Sequence, residues 1–402
     1  MVSPTKISFR ELVETPHPSS ATVNVSLINT SSRIHGVKTQ DFFGPPIPSH
    51  PHKWLAVPIL SFLIRHSATN KTLLFDLGIR KDWEKLSPGV VSQIRAENWT
   101  ISVPQDVATV LTQSGVDVKS IDTIVLSHAH FDHIGNPSTF PKSTSLLVGP
   151  GFKKNLLPGY PSNLSSTILD ADYANRKITE MDFDFNRDFN RDFNLNRDGD
   201  SDESTGKVIQ LGRFAALDFF GDGSFYLLSA PGHAVGHLCG LARVTSSGSE
   251  DSGGEKRKKN EFVLMAGDAF HHVAELRPSP EVSLPVSLQA TYLRNTNRDK
   301  NENGQGDRDG DGEERGRTKP FYTPLLSHGN WHLNALQAEQ TVTKLQEADA
   351  VDEILVIAAH DETVLGVVDE FPREMAGFGK KGWKEMVRWR FLEDFKGDDT
   401  TG

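Results

Sequence analysis

Apolar residues in this chain fall into short, dense runs. ATVNVSLI (21–28), WLAVPILSFLIRH (54–66) and KTLLFDLG (71–78) open the series. IDTIVLS (121–127), TSLLVGP (144–150), SFYLLSAPG (224–232), HLCGLARVTS (237–246), EFVLMAGDA (261–269) and DEILVIAAHD (352–361) continue it. Each is rich in Val, Ile, Leu or Phe and is bounded by Gly or polar residues, which predicts strands. Between them, VPQDVATVLTQSG (103–115), NALQAEQTVTKLQEADA (334–350) and GWKEMVRWRFLEDF (382–395) carry helical spacing. Strands and helices interleave, so the expected class is α/β.

Three stretches break the pattern. They are MDFDFNRDFNRDFNLNRDGDSDESTG (181–206), with its short DFNR repeat, SSGSEDSGGEKRKKN (246–260) and NTNRDKNENGQGDRDGDGEERGR (295–317). None buries enough apolar area to offset its ordering entropy, so all three are expected as mobile surface insertions. DRDGDGEERGRT (307–318) starts like a calcium loop with Asp307, Asp309, Asp311 and Gly312. Its twelfth position is Thr318, where such a loop needs a bidentate Glu. With 402 residues, 37% of them hydrophobic, one domain over 1–402 carrying these insertions is expected.

Charge and cysteine usage narrow the function classes. The net charge of -10 argues against nucleic acid, whose phosphates call for clustered Lys and Arg. The basic run EKRKKN (255–260) sits in a Ser/Gly-rich stretch and reads as a solvated loop. Cys239 is the sole cysteine, which excludes an internal disulfide and fits a reducing compartment. The first twenty residues have no apolar leader core, and no run approaches the roughly 20 residues of a membrane span. A cytoplasmic chain without a membrane partner is the expectation.

The densest chemistry lies in SHAHFDHIGN (127–136), directly after IDTIVL. His128 and His130 are two apart on an extended segment, so both imidazoles point to one side. Asp132 and His133 follow where the chain is expected to turn into a helix at 134–136, displacing them from the first pair. This crowding suits two adjacent metals. Three more donors stand at the ends of apolar runs: His233 after SFYLLSAPG, Asp268 after FVLMAG and His360 after EILVIAA.

HAHFDH, PGHAVGH, AGDA and AAHD, in that order, resemble the metallo-β-lactamase-fold hydrolases, and LFDLG (74–78) resembles that family's early aspartate strand end. The resemblance covers about 50–370 outside the insertions and implies a four-layer αββα sandwich. It implies that His128, His130 and His233 hold one metal, that Asp132, His133 and His360 hold a second, and that Asp268 bridges them. Asp76 would fix ligand tautomers. Two Zn2+ ions are expected; imidazole and carboxylate also suit iron, manganese and cobalt.

APGHAVGH (230–237) and GDAFHH (267–272) are similar to the acyl-homoserine lactonase branch, and the insertions give a fungal-type layout. Where those lactonases place Tyr, three residues after the bridging Asp, this chain has His271. The implied reaction is hydrolysis of a small lactone or lactam by water acidified between two metals, with Asp132 and His271 as the catalytic side chains. A thioesterase is the alternative, with Lys153 and Lys154 as its cationic pair, and a non-catalytic metal-binding module is the other.

The apolar stretch around 140–165 is expected to cover a nonpolar substrate. His50, His52, His66, His328 and His332 read as paired loop residues, Cys239 as packing and His272 as a bystander, and the resemblance implies a structural His237.

Overall fold

All nine apolar runs become strands, gathered into two seven-stranded sheets. The computed structural model describes residues 5–44, 54–185, 208–249, 254, 259–288, 316–325 and 331–395. Most of the three insertions, the partial calcium loop at 307–315, and His50, His52 and His328 lie outside the described residues.

The first sheet runs Thr100–Ser102, Val23–Lys38, Trp54–His66, Thr72–Phe75, Thr123–Val125, Ser145–Val148, Ile178–Glu180. The second runs Lys6–Ile7, Val208–Leu211, Phe214–Asp218, Phe225–Ser229, Leu238–Thr245, Glu261–Met265, Ile354–Ile357. Side chains alternate along each strand, and both faces are covered. Leu73 and Phe75 share a core with Leu227, Val263, Met265 and Leu355 of the opposite sheet. Their neighbour Leu74 points outward with Ile124 and Leu146, against Val107 and Leu111 of the helix Val107–Gln113. On the far side Leu228, Leu264 and Val356 meet Val342 and Leu345 of the helix Ala335–Asp349. The layers are therefore helix, sheet, sheet, helix. Burial on both faces is why the runs read as continuous rather than alternating, and each such side chain contributes roughly 1.5–3 kcal/mol.

Polar groups fix the helices to these sheets. Asn334 caps the helix Ala335–Asp349 by accepting from the Gln337 amide. At its other end Asp349 takes a bidentate pair from buried Arg277, at 2.6 and 2.7 Å. Buried Lys384 donates to the carbonyls of Asp349, Val351 and Ile354. The expected closing helix is split into Trp383–Arg388 and a tighter 3-10 segment, Arg390–Phe395. Among the described residues no helix is long and apolar enough to cross a membrane.

Strand direction decides where the chemistry goes. Thr72–Phe75 and Thr123–Val125 are parallel. Phe225–Ser229 and Glu261–Met265 both run against Leu238–Thr245, and Ile354–Ile357 is parallel to Glu261–Met265. Carboxyl ends within each set thus share an edge, and each is followed closely by Asp76, His128, His233, Asp268 or His360.

Candidate metal centre

After Val125 the chain stays extended through His130 and then makes a single helical turn, Phe131–Ile134. The turn starts three residues before the expected 134–136, so Asp132 and His133 are on it. Gly135 ends it at φ 52°, and a side chain there would place Cβ 2.5 Å from Leu77 Cβ. The Leu77 amide donates to the His133 carbonyl at 2.8 Å, locking this turn to the strand end that carries Asp76.

Two groups of donors form where the sequence motifs converge. Ligand atoms of His128, His130, His233 and Asp268 lie within 4.8 Å of one another, and so do those of Asp132, His133, Asp268 and His360. Asp268 belongs to both. Its Oδ2 is 3.8 Å from His128 Nε2 and 3.6 Å from His233 Nε2. Its Oδ1 is 3.1 Å from His133 Nε2 and 3.3 Å from His360 Nε2. One carboxylate oxygen faces each group.

Hydrogen bonds behind the rings fix which nitrogen is bare. The Pro58 carbonyl can only accept, so His360 donates from Nδ1, at 2.9 Å, and its Nε2 keeps the lone pair. Asp76 Oδ1 accepts from the Ser127 amide, and its Oδ2 accepts from Ser127 Oγ at 2.7 Å and His133 Nδ1 at 2.8 Å. With its proton committed to Asp76, Ser127 Oγ accepts from His128 Nδ1 at 3.0 Å. Bare Nε2 atoms therefore face inward from His128, His133 and His360.

These inward atoms have little else to bind. His133 Nε2 and Asp268 Oδ1 are buried without a hydrogen-bond partner. His233 Nε2 is 3.2 Å from His128 Nε2 and 2.9 Å from His130 Nδ1, and one proton cannot serve three imidazole nitrogens. A lone pair held 3.1 Å from a carboxylate oxygen needs a proton or a cation between them. Imidazole and carboxylate donors arranged in this way fit divalent metal ions.

Electrostatics follow the same division. Burial and the neighbouring rings hold His128 and His233 well below the ordinary imidazole range, and burial lowers His130. Burial acts likewise on His133 and His360, but Asp268 outweighs it with help from Asp132, so both are raised. For Asp268, burial favours the neutral acid, yet His133, His360 and His271 hold its carboxyl well below the usual range. Buried His237 accepts from the Asp268 amide at 3.0 Å and is pushed down to about 3, chiefly by desolvation. It positions the Asp268 backbone.

A cavity of about 370 Å³ opens onto His130, Asp132, His233, Asp268, His271 and His360. Its walls are apolar: Ile34, Val37, Phe42 and Phe43 on one segment, Val90, Ile94 and Trp99 on another, and Trp331. Phe42 and Trp99 both stack on Trp331, with ring centroids 4.9 and 5.0 Å away. The 140–165 stretch does not line it, contrary to expectation. Phe140 and Phe152 of that stretch are buried in the core beneath the helix Val107–Gln113. His271 does line it, with Nε2 3.4 Å from Asp268 Oδ2.

The other histidines divide clearly. His66 is buried against Asp222 at 2.8 Å. His272 caps the short helix Val273–Leu276 and contacts Asp394. His332, expected as a paired loop residue, instead contacts His233 and His271. Only its neighbour Trp331 hinted at this. The aromatic wall carried no local signal, because Phe42, Trp99 and Trp331 come from three distant segments.

Residues 54–149 match the Metallo-beta-lactamase superfamily. The chain is 38% identical over 381 residues to Gamma-lactamase FDB1 of Fusarium pseudograminearum, covering 94% of this chain and 83% of that protein. It is 37% identical over 384 residues to Metallo-hydrolase mfmC of Annulohypoxylon moriforme, covering 94% and 89%. Gamma-lactamase MBL2 of Gibberella moniliformis is 38% identical over 273 residues, 68% of this chain and 100% of that protein. Together with the layered sheets and the histidine–aspartate edge, these matches make the chain a hydrolase of the metallo-β-lactamase superfamily.

Proposed function

We propose that this hydrolase opens a small cyclic amide or ester with two divalent cations, zinc in the first instance. His128, His130 and His233 would hold one, Asp132, His133 and His360 the other, with Asp268 between. The observation that carries this reading is the split of Asp268, one oxygen toward each imidazole group. Bound there, the cations would acidify a water and polarise the scissile carbonyl.

The chain's own residues supply the rest. Asp132 reaches the cavity with Oδ2 3.5 Å from His360 Nε2, where it orients the attacking water and accepts its proton. Oxygen adds to the carbonyl carbon, the ring C–N or C–O bond breaks, and a proton ends on the leaving atom. His271, on the cavity wall, gives the leaving atom its own Nε2 proton, and the water proton taken by Asp132 replaces it, so the chain ends the cycle as it began. The apolar wall holds the rest of the substrate and excludes water. The names of two relatives favour a lactam.

A thioesterase with an anionic carrier is less well supported. Among the described residues lining the cavity there is no Lys or Arg, and Lys153 and Lys154 lie exposed on the helix Phe152–Leu156. Metal-loaded protein assayed on lactams, lactones and thioesters is expected to favour the ring substrates; a preference for open-chain thioesters would overturn the reading. In the same assay Trp331→Ala should raise KM roughly 2- to 10-fold for an aromatic ring substrate, the value of one lost stacking contact, with kcat little changed.

A further inference from the structure

One imidazole cluster is left over beside the two groups around Asp268. His233, His271 and His332 each offer a ring nitrogen within 4.8 Å of the others. Their centroids are 4.8, 5.3 and 5.2 Å apart at interplanar angles of 63–82°, so edges meet rather than faces. Both nitrogens of His332, Nδ1 of His271 and Nδ1 of His233 are buried and make no hydrogen bond. Leaving such an atom unsatisfied is costly, and most buried polar atoms find a partner. Each neutral ring carries one proton, so His271 and His332 each have one lone pair to offer, and two such pairs buried side by side point to a ligand that accepts them.

We infer that His271 and His332, beside His233, bind a third divalent cation of the kind that prefers imidazole: zinc, copper, nickel or cobalt. The site is distinct from the two groups because it uses His332, which belongs to neither. The inference rests on the two-cation reading in one respect. His233 Nε2 already faces His128 and His130, so with the first cation bound its Nδ1 keeps the ring proton and His233 borders the third site without ligating it, leaving His271 and His332 as the two protein ligands. The third cation therefore binds more weakly than the other two and fills last. Because His233 and His271 both line the cavity, a cation there narrows the entry of substrate. Excess metal then inhibits.

The test uses the full chain, zinc-loaded and dialysed, then titrated with Zn2+ by calorimetry and with Co2+ by visible absorption. Wild type should bind one cation more than His332→Ala, whatever the base count. Excess zinc should slow wild-type hydrolysis several-fold and leave the variant unaffected. His332→Phe, which keeps the ring volume, gives the same comparison should alanine unfold the chain. Equal counts in wild type and variant, or zinc inhibition that persists in both, would overturn the inference. A base count other than two would instead defeat the two-cation reading while leaving the difference of one intact.

Discussion

Replacing Asp268 with alanine is expected to lower hydrolysis roughly 10²- to 10⁴-fold. That range is the ~3–5 kcal/mol lost when one partner of a buried charge set is removed, converted at about 1.4 kcal/mol per decade. Asp268 is 2% exposed and faces His128, His133, His233, His271 and His360 within 3.8 Å. No other described carboxylate touches both imidazole groups. Without it the first group loses its anion, the second keeps Asp132 alone, and the two lose their common member. Metal content should fall with activity, which mass spectrometry of the dialysed protein reads directly. The fold should survive, because His237 holds position 268 through its backbone amide rather than its side chain. Metal retained at the wild-type level in an inactive variant would place the role of Asp268 in chemistry alone.

Asp76→Asn should act on one group directly and on the other only through Ser127. The wild-type carboxylate accepts three hydrogen bonds, from the Ser127 amide, Ser127 Oγ and His133 Nδ1. An amide can keep the first through its oxygen, but its NH2 then faces two groups that were donating. His133 must move its proton from Nδ1 to Nε2, the atom that faces Asp268 Oδ1. A protonated Nε2 cannot bind a cation. The expected loss is about 10- to 100-fold in affinity for the cation shared by Asp132, His133 and His360. The other cation should weaken less: Ser127 Oγ, no longer donating to residue 76, can turn its proton to His128 Nδ1 and shift that ring's tautomer, while His130 and His233 keep their surroundings. Backbone strain does not confound the comparison: residue 76 sits at φ 60°, a conformation that asparagine tolerates well. Equal loss of both cations in a metal titration would show that Asp76 organises the whole edge rather than one imidazole.

Both predictions concern residues that were visible in the sequence, and the reason is physical. A strand buried on two faces leaves a continuous apolar run, so IDTIVL, FVLM and EILVI announce themselves. The polar residue that ends such a run must lie at a sheet edge, which is where His128, Asp268 and His360 stand. The adjacent strands Val208–Leu211 and Phe214–Asp218 leave no comparable run. They are short, directly follow the low-complexity stretch, and turn at Gly212 with two residues between them.

The cavity beside the histidines was less legible. Its wall needs Phe42, Trp99 and Trp331 at stacking distance, a relation between segments that no local spacing encodes. The same holds for His332, whose neighbours His233 and His271 are distant in the chain. Periodicity reports which face of an element is buried. It does not report which loops meet above a sheet edge.

The most direct test of the two-cation reading is anomalous scattering from crystals of the full chain grown with two equivalents of zinc. The account predicts two peaks, one among His128, His130 and His233 and one among Asp132, His133 and His360, with a different oxygen of Asp268 touching each. A single peak, or two peaks that do not share Asp268, would contradict it.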